Sequence, residues 1–554
     1  MTVAQTVNIA AALKSSAEAH PDKVALIIAT ARDKDGTIHY VQHRFAELQM
    51  ACQILSAGLQ QVGIQRGTRT VLMAKPSFEF FALMFAMFQS GIVPVLIDPG
   101  MGLKNLKVCL EEAEPEAFVG ISKAHVARVA LGWGRKTLKT CVTVGRKLGW
   151  SGYTLQDIQQ RGQAQPQTTL ADTRADETAA LLFTSGSTGV PKGVVYSHGN
   201  FAAQIAFLRQ SFDLADDEVD LATFPPFALF DPALGMTSVV PWMDPTRPAD
   251  VDPKAIFDAI ERFKVTHMFG SPALLNTISR AGVSTGQQLP SLRRVLSAGA
   301  PVPYQVLDRM RQMLAPGVQT LTPYGATECL PISVIGSAEI LDETRHQTET
   351  GAGVCIGRPV HGLEVQIIPV SDTPIADWAE VTLVKAGEIG EIVVKGPNVT
   401  RLYFNRPAAT ELAKIKDADG SVRHRMGDLG YFDAQGRLWF CGRKAHRIIT
   451  ERETLYADAC EAVFNTHPDV YRTGLVSVSQ QGQVRPVLCV ELESESRRSR
   501  DQIRLELLDI GARYRQTRNI RTFLFLSKLP VDIRHNAKIF REELALTAKK
   551  ELSR

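Results

Sequence analysis

A chain of 554 residues, 45% hydrophobic and 22% charged, has the length for several packed domains and the composition of an ordinary globular enzyme. Lysine plus arginine total 62 against 58 acidic residues, and a net charge of +4 leaves no footprint for a nucleic-acid partner. Eight scattered cysteines, with no Cys-x-x-Cys and no Cys/His cluster, point to a reducing compartment and away from a structural zinc site.

In chain order, Val7 to His20 has the spacing of an amphipathic helix and Val24 to Ile28 the texture of a strand. A helix over Arg44 to Val62, a strand over Thr70 to Ala74, a helix over Phe78 to Phe88 and a strand over Ile92 to Ile97 follow. This alternation predicts βαβ units and an α/β fold with largely parallel sheets. The apolar stretch Phe80 to Phe88 ends at Gln89-Ser90-Gly91, too short to cross a bilayer, so no transmembrane segment is expected. The N-terminus has no basic segment followed by an apolar run, and a cytoplasmic protein is expected. Gly162 to Asp176 is polar and Gln-rich and reads as a surface linker. A second α/β run covers Asn200 to Leu314, and Val360 to Lys395 has the strand-turn-strand texture of a small β-subdomain. The expected division is a large domain, 1–441, and a small mobile α+β domain, 442–554.

The stretch Thr184-Ser185-Gly186-Ser187-Thr188-Gly189-Val190-Pro191-Lys192-Gly193 lies between two apolar runs, Ala179 to Phe183 and Val194 to Tyr196. Glycines let a backbone approach a ligand closely, and successive N–H groups, hydroxyls and a lysine favour phosphate oxygens. The order does not fit a Walker loop, which continues into a helix after Gly-Lys-Ser/Thr. The ten residues resemble the phosphate loop of the adenylate-forming superfamily: acyl-CoA synthetases, fatty acyl-AMP ligases, luciferases and peptide-synthetase adenylation domains. That resemblance implies carboxylate activation by ATP with Mg²⁺, giving acyl-AMP and pyrophosphate. It also implies catalytic roles for Thr188 and Lys192 and nucleotide contacts from Thr184 to Gly189.

Further motifs extend the resemblance along the chain. Tyr324-Gly325-Ala326-Thr327-Glu328, after an apolar strand (Val318 to Leu321), resembles the motif that stacks an aromatic ring on adenine. There Thr327 would meet the α-phosphate and Glu328 would hold the metal, with Thr184 as a second metal contact. A hard cation suits carboxylate oxygen, and a purine suits a flat apolar face. Ser297-Ala298-Gly299-Ala300-Pro301 resembles the segment lining the adenine and acyl pocket, implying contacts from Gly299, Ala300 and Pro301. Met426-Gly427-Asp428 resembles the motif whose carboxylate bridges the ribose hydroxyls, with Arg443 of Gly442-Arg443 as its partner. Gly387-Glu388-Ile389-Gly390-Glu391 and Tyr403-Phe404-Asn405 match in order as structural elements. Near the end, Leu529 to Lys538 resembles the segment carrying the catalytic lysine, here Lys538. It sits two residues further from Pro530 than the usual spacing, with Ala537 for the usual glycine.

Three departures bear on any second half-reaction with coenzyme A. Ala445 stands at the hinge position, Arg452 where a glycine would admit pantetheine, and Ala228 where many relatives carry histidine. Within the superfamily the chain most resembles the β-lactone synthetases of bacterial long-chain olefin biosynthesis. That implies a long-chain 2-alkyl-3-hydroxy acid closed by its own hydroxyl to a cis-β-lactone, and a possible complex with other hydrocarbon-pathway enzymes. No residue identifies itself as the base for that hydroxyl. The alternatives are a long-chain acyl-CoA or acyl-AMP ligase, and a non-catalytic nucleotide-binding scaffold.

Overall fold

The computed structural model describes residues 6–165, 169–184, 190–480, 482–532 and 538–553. Two large sheets face one another. The first orders the strands Tyr153–Thr154, Thr140–Val144, Ala117–Ile121, Arg69–Met73, Val93–Leu96, Thr178–Phe183 and Gly193–Ser197, parallel except for the last. The second has a parallel centre of Val24–Arg32, Thr237–Val240, Val219–Ala222, His267–Phe269, Arg294–Leu296 and Thr320–Ala326. It continues antiparallel through Cys329–Gly336, Val354–Pro359, Leu438–Arg443, Val422–Phe432, Gly390–Lys395 and Glu364–Ile368. The α/β expectation thus holds, with the β-subdomain continuous with the second sheet.

The helix Phe78–Gln89 shows why the two sheets stay together. It is apolar on nearly every face, capped by the Ser77 hydroxyl accepting from the Phe80 N–H, and buried from Phe80 through Gln89. A helix with no polar face needs cover all round. Its cluster draws Ala117, Val119 and Ala179 from the first sheet and Leu26, Ala222 and Val240 from the second. At roughly 2 kcal/mol for each fully buried large apolar side chain, this shared core couples the sheets strongly.

The stretch Gly162 to Asp176 departs from a plain surface linker. Its start completes the helix Leu155–Ala164, which crosses Phe45–Gln61 at a pair of glycines. A Cβ on Gly58 would lie 2.0 Å from the Ile158 carbonyl oxygen, and one on Gly162 would lie 1.9 Å from that of Ile54. Backbone thus meets backbone, which a polarity pattern cannot reveal. Beyond the crossing, Thr173 is buried and its hydroxyl donates to the Val7 carbonyl, while Arg66 pairs with Asp172 and Glu177.

After Arg443 and the short turn Lys444–His446 the chain builds a compact α+β unit with its own apolar clusters. Its sheet contains Val470–Gln480, Gln483–Leu492 and Thr522–Leu526, flanked by helices Ala457–Phe464, Arg500–Ala512 and Arg541–Leu552. Among the described residues no helix is long and apolar enough to cross a membrane.

Candidate active site

The carboxyl ends of the parallel strands in the second sheet meet the polar hairpin of the first, the usual place for a ligand in an open α/β sheet. Thr178–Phe183 and Gly193–Ser197 pair antiparallel, as the apolar runs predict. At the base of their loop the Lys192 N–H donates to Thr184 Oγ1 at 3.2 Å, and the Thr184 N–H to the Lys192 carbonyl at 3.1 Å. Ser185, Gly186, Ser187, Thr188 and Gly189 lie outside the described residues.

Tyr324 and Gly325 do not follow a strand but belong to it: Thr320–Ala326 turns at Thr327-Glu328 into Cys329–Gly336, with Ala326 opposite Cys329. The register shifts at Gly325, where a Cβ would come within 2.8 Å of the Cys329 carbonyl oxygen. Such a bulge bends a strand and re-aims its side chains. The Tyr324 hydroxyl donates to Asp428 Oδ2 at 2.5 Å. Asp428 lies directly across from Arg443 in the ladder, with Arg443 Nε 3.0 Å from Asp428 Oδ1. Gly427 takes φ +65°, a turn conformation that side chains resist, just before this carboxylate. Burial pushes the Asp428 carboxyl up and Arg443 pulls it back; Asp428 in turn raises Arg443. Burial next to Asp428 lifts the Tyr324 phenol well above its ordinary value, so it stays a neutral donor. Three residues from three separate motifs therefore meet.

Glu328, at the hairpin tip, accepts the Tyr403 hydroxyl on Oε1 at 2.5 Å, and its carbonyl accepts from Thr400. The Tyr403 ring lies between two cations, Lys192 Nζ 4.9 Å from its centre and Lys414 Nζ 5.9 Å. Cation–ring contacts of this kind hold an ammonium in place. Burial lowers Lys414 to about 8, with Glu328 opposing. Sequence reading missed Lys414, whose surroundings Ala413-Lys414-Ile415-Lys416 look like a solvated strand, and it took Tyr403 as structural only. Among the described residues no group of three His, Cys, Asp or Glu side chains could hold a metal by itself. A single carboxylate sharing Tyr403 with Lys192 suits Mg²⁺, which keeps waters and takes its remaining oxygens from nucleotide phosphates.

Ser297 and Ala298 follow Arg294–Leu296, where the Ser297 N–H donates to the Leu321 carbonyl. Gly299 takes φ +98° and turns the chain outward, leaving Gly299 and Pro301 exposed and Ala300 partly so. Ala298 and Pro323 line a narrow cavity of about 80 Å³ running into the second sheet, walled by Phe227, Phe230, Phe269 and Leu296. Ala228 is buried beside Phe227. Lys538 stands in the small unit, where its N–H donates to Asp532 Oδ1 at 3.0 Å and its carbonyl accepts from the Asp532 N–H. Arg452 is exposed at the tip of the hairpin Ile448–Ile449/Thr454–Leu455.

With the phosphate-loop arms, the Tyr324–Asp428–Arg443 group and the cavity in place, residues 13–404 match the family model described as AMP-binding enzyme. The chain belongs to that family. It is 51% identical over 547 residues to a protein named olefin beta-lactone synthetase from Xanthomonas campestris pv. campestris, covering 98% of this chain and 97% of that relative. A protein of the same name from Stenotrophomonas maltophilia is 51% identical over 556 residues, covering 99% of each. Among solved structures, ATP-bound MatB from Rhodopseudomonas palustris superposes with a TM-score of 0.78 at 21% identity, covering 99% of this chain and 100% of that one, a likeness of fold.

Proposed function

We infer that the chain is an ATP-dependent, AMP-forming ligase that activates a long-chain 2-alkyl-3-hydroxy fatty acid and closes it to a cis-β-lactone. The near full-length 51% identity to two proteins named olefin beta-lactone synthetase carries this reading. The substrate carboxylate displaces pyrophosphate from the α-phosphorus of ATP, giving a mixed anhydride. The 3-hydroxyl oxygen then bonds to the acyl carbon, the bond from that carbon to the phosphate oxygen breaks, and AMP and a proton leave. A nucleophile on the same molecule has the proximity advantage and needs no second substrate channel.

For the residues, the proposal assigns adenine to the Tyr324, Gly325 and Gly299–Ala300–Pro301 side, and ribose to Asp428 and Arg443. The phosphates fall to Thr184 through Gly189, Lys192 and Thr327. Glu328 and Thr184 would hold Mg²⁺, which would neutralise phosphate charge. Lys538, on the domain 442–554, would enter to stabilise the charge developing between carboxylate and α-phosphate, completing a site otherwise built by 1–441 and Arg443. A cytoplasmic site of action and association with other hydrocarbon-pathway enzymes fit this reading. The test is product analysis by NMR or infrared spectroscopy with Mg-ATP and the hydroxy acid, with and without coenzyme A. A strained four-membered lactone, unaffected by coenzyme A, is expected; a thioester would replace this reading with the ligase alternative.

A further inference from the structure

The cavity beside Ala298 has an unusual floor. Ser238, Asp220 and His267 occupy matching positions on three adjacent parallel strands, Asp220 opposite Ser238 on one side and His267 on the other. Parallel partners at matching positions share one face, so the three, continued by Arg294 opposite His267, make a polar row across the sheet. Asp231, from the short helix Asp231–Leu234, stands against Ser238 and Asp220. Asp220, His267 and Asp231 line the cavity and are only 4%, 6% and 6% exposed.

Their mutual contacts are loose: Asp231 leans on Ser238 and Asp220, which moderates its charge without closing the cluster. His267 Nε2 is 3.6 Å from Asp220 Oδ1, beyond hydrogen-bond length. Asp220 Oδ1, Asp231 Oδ2, Ser238 Oγ and His267 Nδ1 are buried without a hydrogen-bond partner among the described residues. Each such orphan costs about 1–3 kcal/mol. Arg294, opposite His267 on the next strand, behaves differently: fully buried Glu218 holds it at 2.7 Å. A cluster kept only for packing would be closed in the same way.

Asp220 and His267 each lie two residues before their strands end, at Ala222 and Phe269. At about 3.3 Å per residue the floor is roughly 7 Å below the carboxyl edge where the acyl carbon would sit. A hydroxyl on the third carbon reaches roughly 3–4 Å from the acyl carbon, and a hydrogen bond adds about 2.8 Å. We propose that Asp231, with Asp220 and His267, is the recognition site for the hydroxyl of the substrate acid, and that it selects hydroxylated over plain acids. The inference rests on the activation reading above. Burial pushes Asp231 up to about 7 and His267 down to about 3, so near neutral pH the floor holds a retained proton and a neutral imidazole. Such groups suit an alcohol better than an ion.

The test is ATP–pyrophosphate exchange with a matched pair of acids, the 2-alkyl-3-hydroxy acid and the same acid without its hydroxyl. Sites that hydrogen-bond a substrate hydroxyl reject analogues lacking it strongly, so the wild type should favour the hydroxy acid by about 100-fold or more in kcat/KM. In Asp231→Leu that ratio should fall to about one, while Asp231→Asn, which keeps an acceptor oxygen and the side chain's shape, should retain most of it. A purely structural cluster would lower both exchange rates and keep the ratio, as would damage to folding; a surviving ratio in Asp231→Leu, or none in the wild type, overturns the proposal. Product analysis of the same wild-type reactions separates the two ideas. A preserved ratio without lactone rejects ring closure alone, and lactone without a ratio rejects the recognition site alone.

Discussion

On the side proposed for the nucleotide, buried polar groups have found each other: Tyr324 donates to Asp428, Asp428 faces Arg443, and Tyr403 donates to Glu328. At the cavity floor, Asp220, Asp231 and His267 are as deeply buried and have only loose contacts with one another, with no opposite charge as close as Arg443 is to Asp428. Pairing in advance holds donors and charges where a ligand needs them, and avoids reorganisation when it arrives. Leaving groups open costs stability and yields discrimination, because only a ligand with the right polar atom closes the gap. On the proposed function the difference is one of purpose: nucleotide is common to every cycle, while the acid must be chosen.

The largest expected effect tests a group from outside both regions. Lys538→Ala should lower pyrophosphate exchange about 100-fold or more while ATP binding persists, since an ammonium engaged in the transition state contributes little to the ground state. Unchanged exchange would transfer the role to another cation, with Arg534, outside the described residues, next in line. Asp428→Ala breaks the paired side: Tyr324 and Arg443 lose their partner, and we expect a loss of about 2 kcal/mol in stability together with at least tenfold weaker ATP binding. Denaturant unfolding and calorimetry read the two, and a fall in binding without any loss of stability would show that the pairing is not structural.

The smallest effect concerns the open side. Asp231 is held at about 7 against an ordinary 3.8, so between those values the folded state binds more protons than the unfolded one. The contribution of Asp231 to stability is then greatest below about pH 4, falls as pH rises toward 7, and is level above it. Asp231→Asn removes this penalty and should raise Tm by about 1–3 °C at pH 8, and by nothing at pH 4. An equal change at both pH values would mean that the carboxyl's ionisation does not strain the fold.

What could be read in advance follows the range of each interaction. The alternating α/β pattern, the phosphate-loop arms and the Asp428–Arg443 pair rest on local periodicity or on motifs that keep their neighbours. The N-terminal pair Val24–Arg32 and Ile38–Arg44 joins the second sheet beside Thr237–Val240, a partner more than two hundred residues away that no local pattern signals. The polar floor is hidden for the same reason. Ser238, Asp220 and His267 are single polar residues in short apolar strands, and only the register of three strands makes them a row. Lys414 and the Tyr403–Glu328 bond likewise appear only once the β-subdomain folds against the hairpin tip.

The turn Lys444–His446, where the large and small domains join, is fastened at both ends by charges of unequal shelter. Lys444 Nζ lies 2.9 Å from Glu391 Oε1, whose buried carboxylate also holds buried Arg425, and this knot is largely sheltered from solvent. Arg447 grips Asp372 at 2.5 Å, but Asp372 is 67% exposed. Dissolved salt screens the second contact and scarcely touches the first. The joint is therefore held by one sheltered contact and one exposed contact. Any swing of the small domain would begin by slipping at Arg447, and its ease would follow ionic strength even though the chemistry takes place in a sheltered cleft.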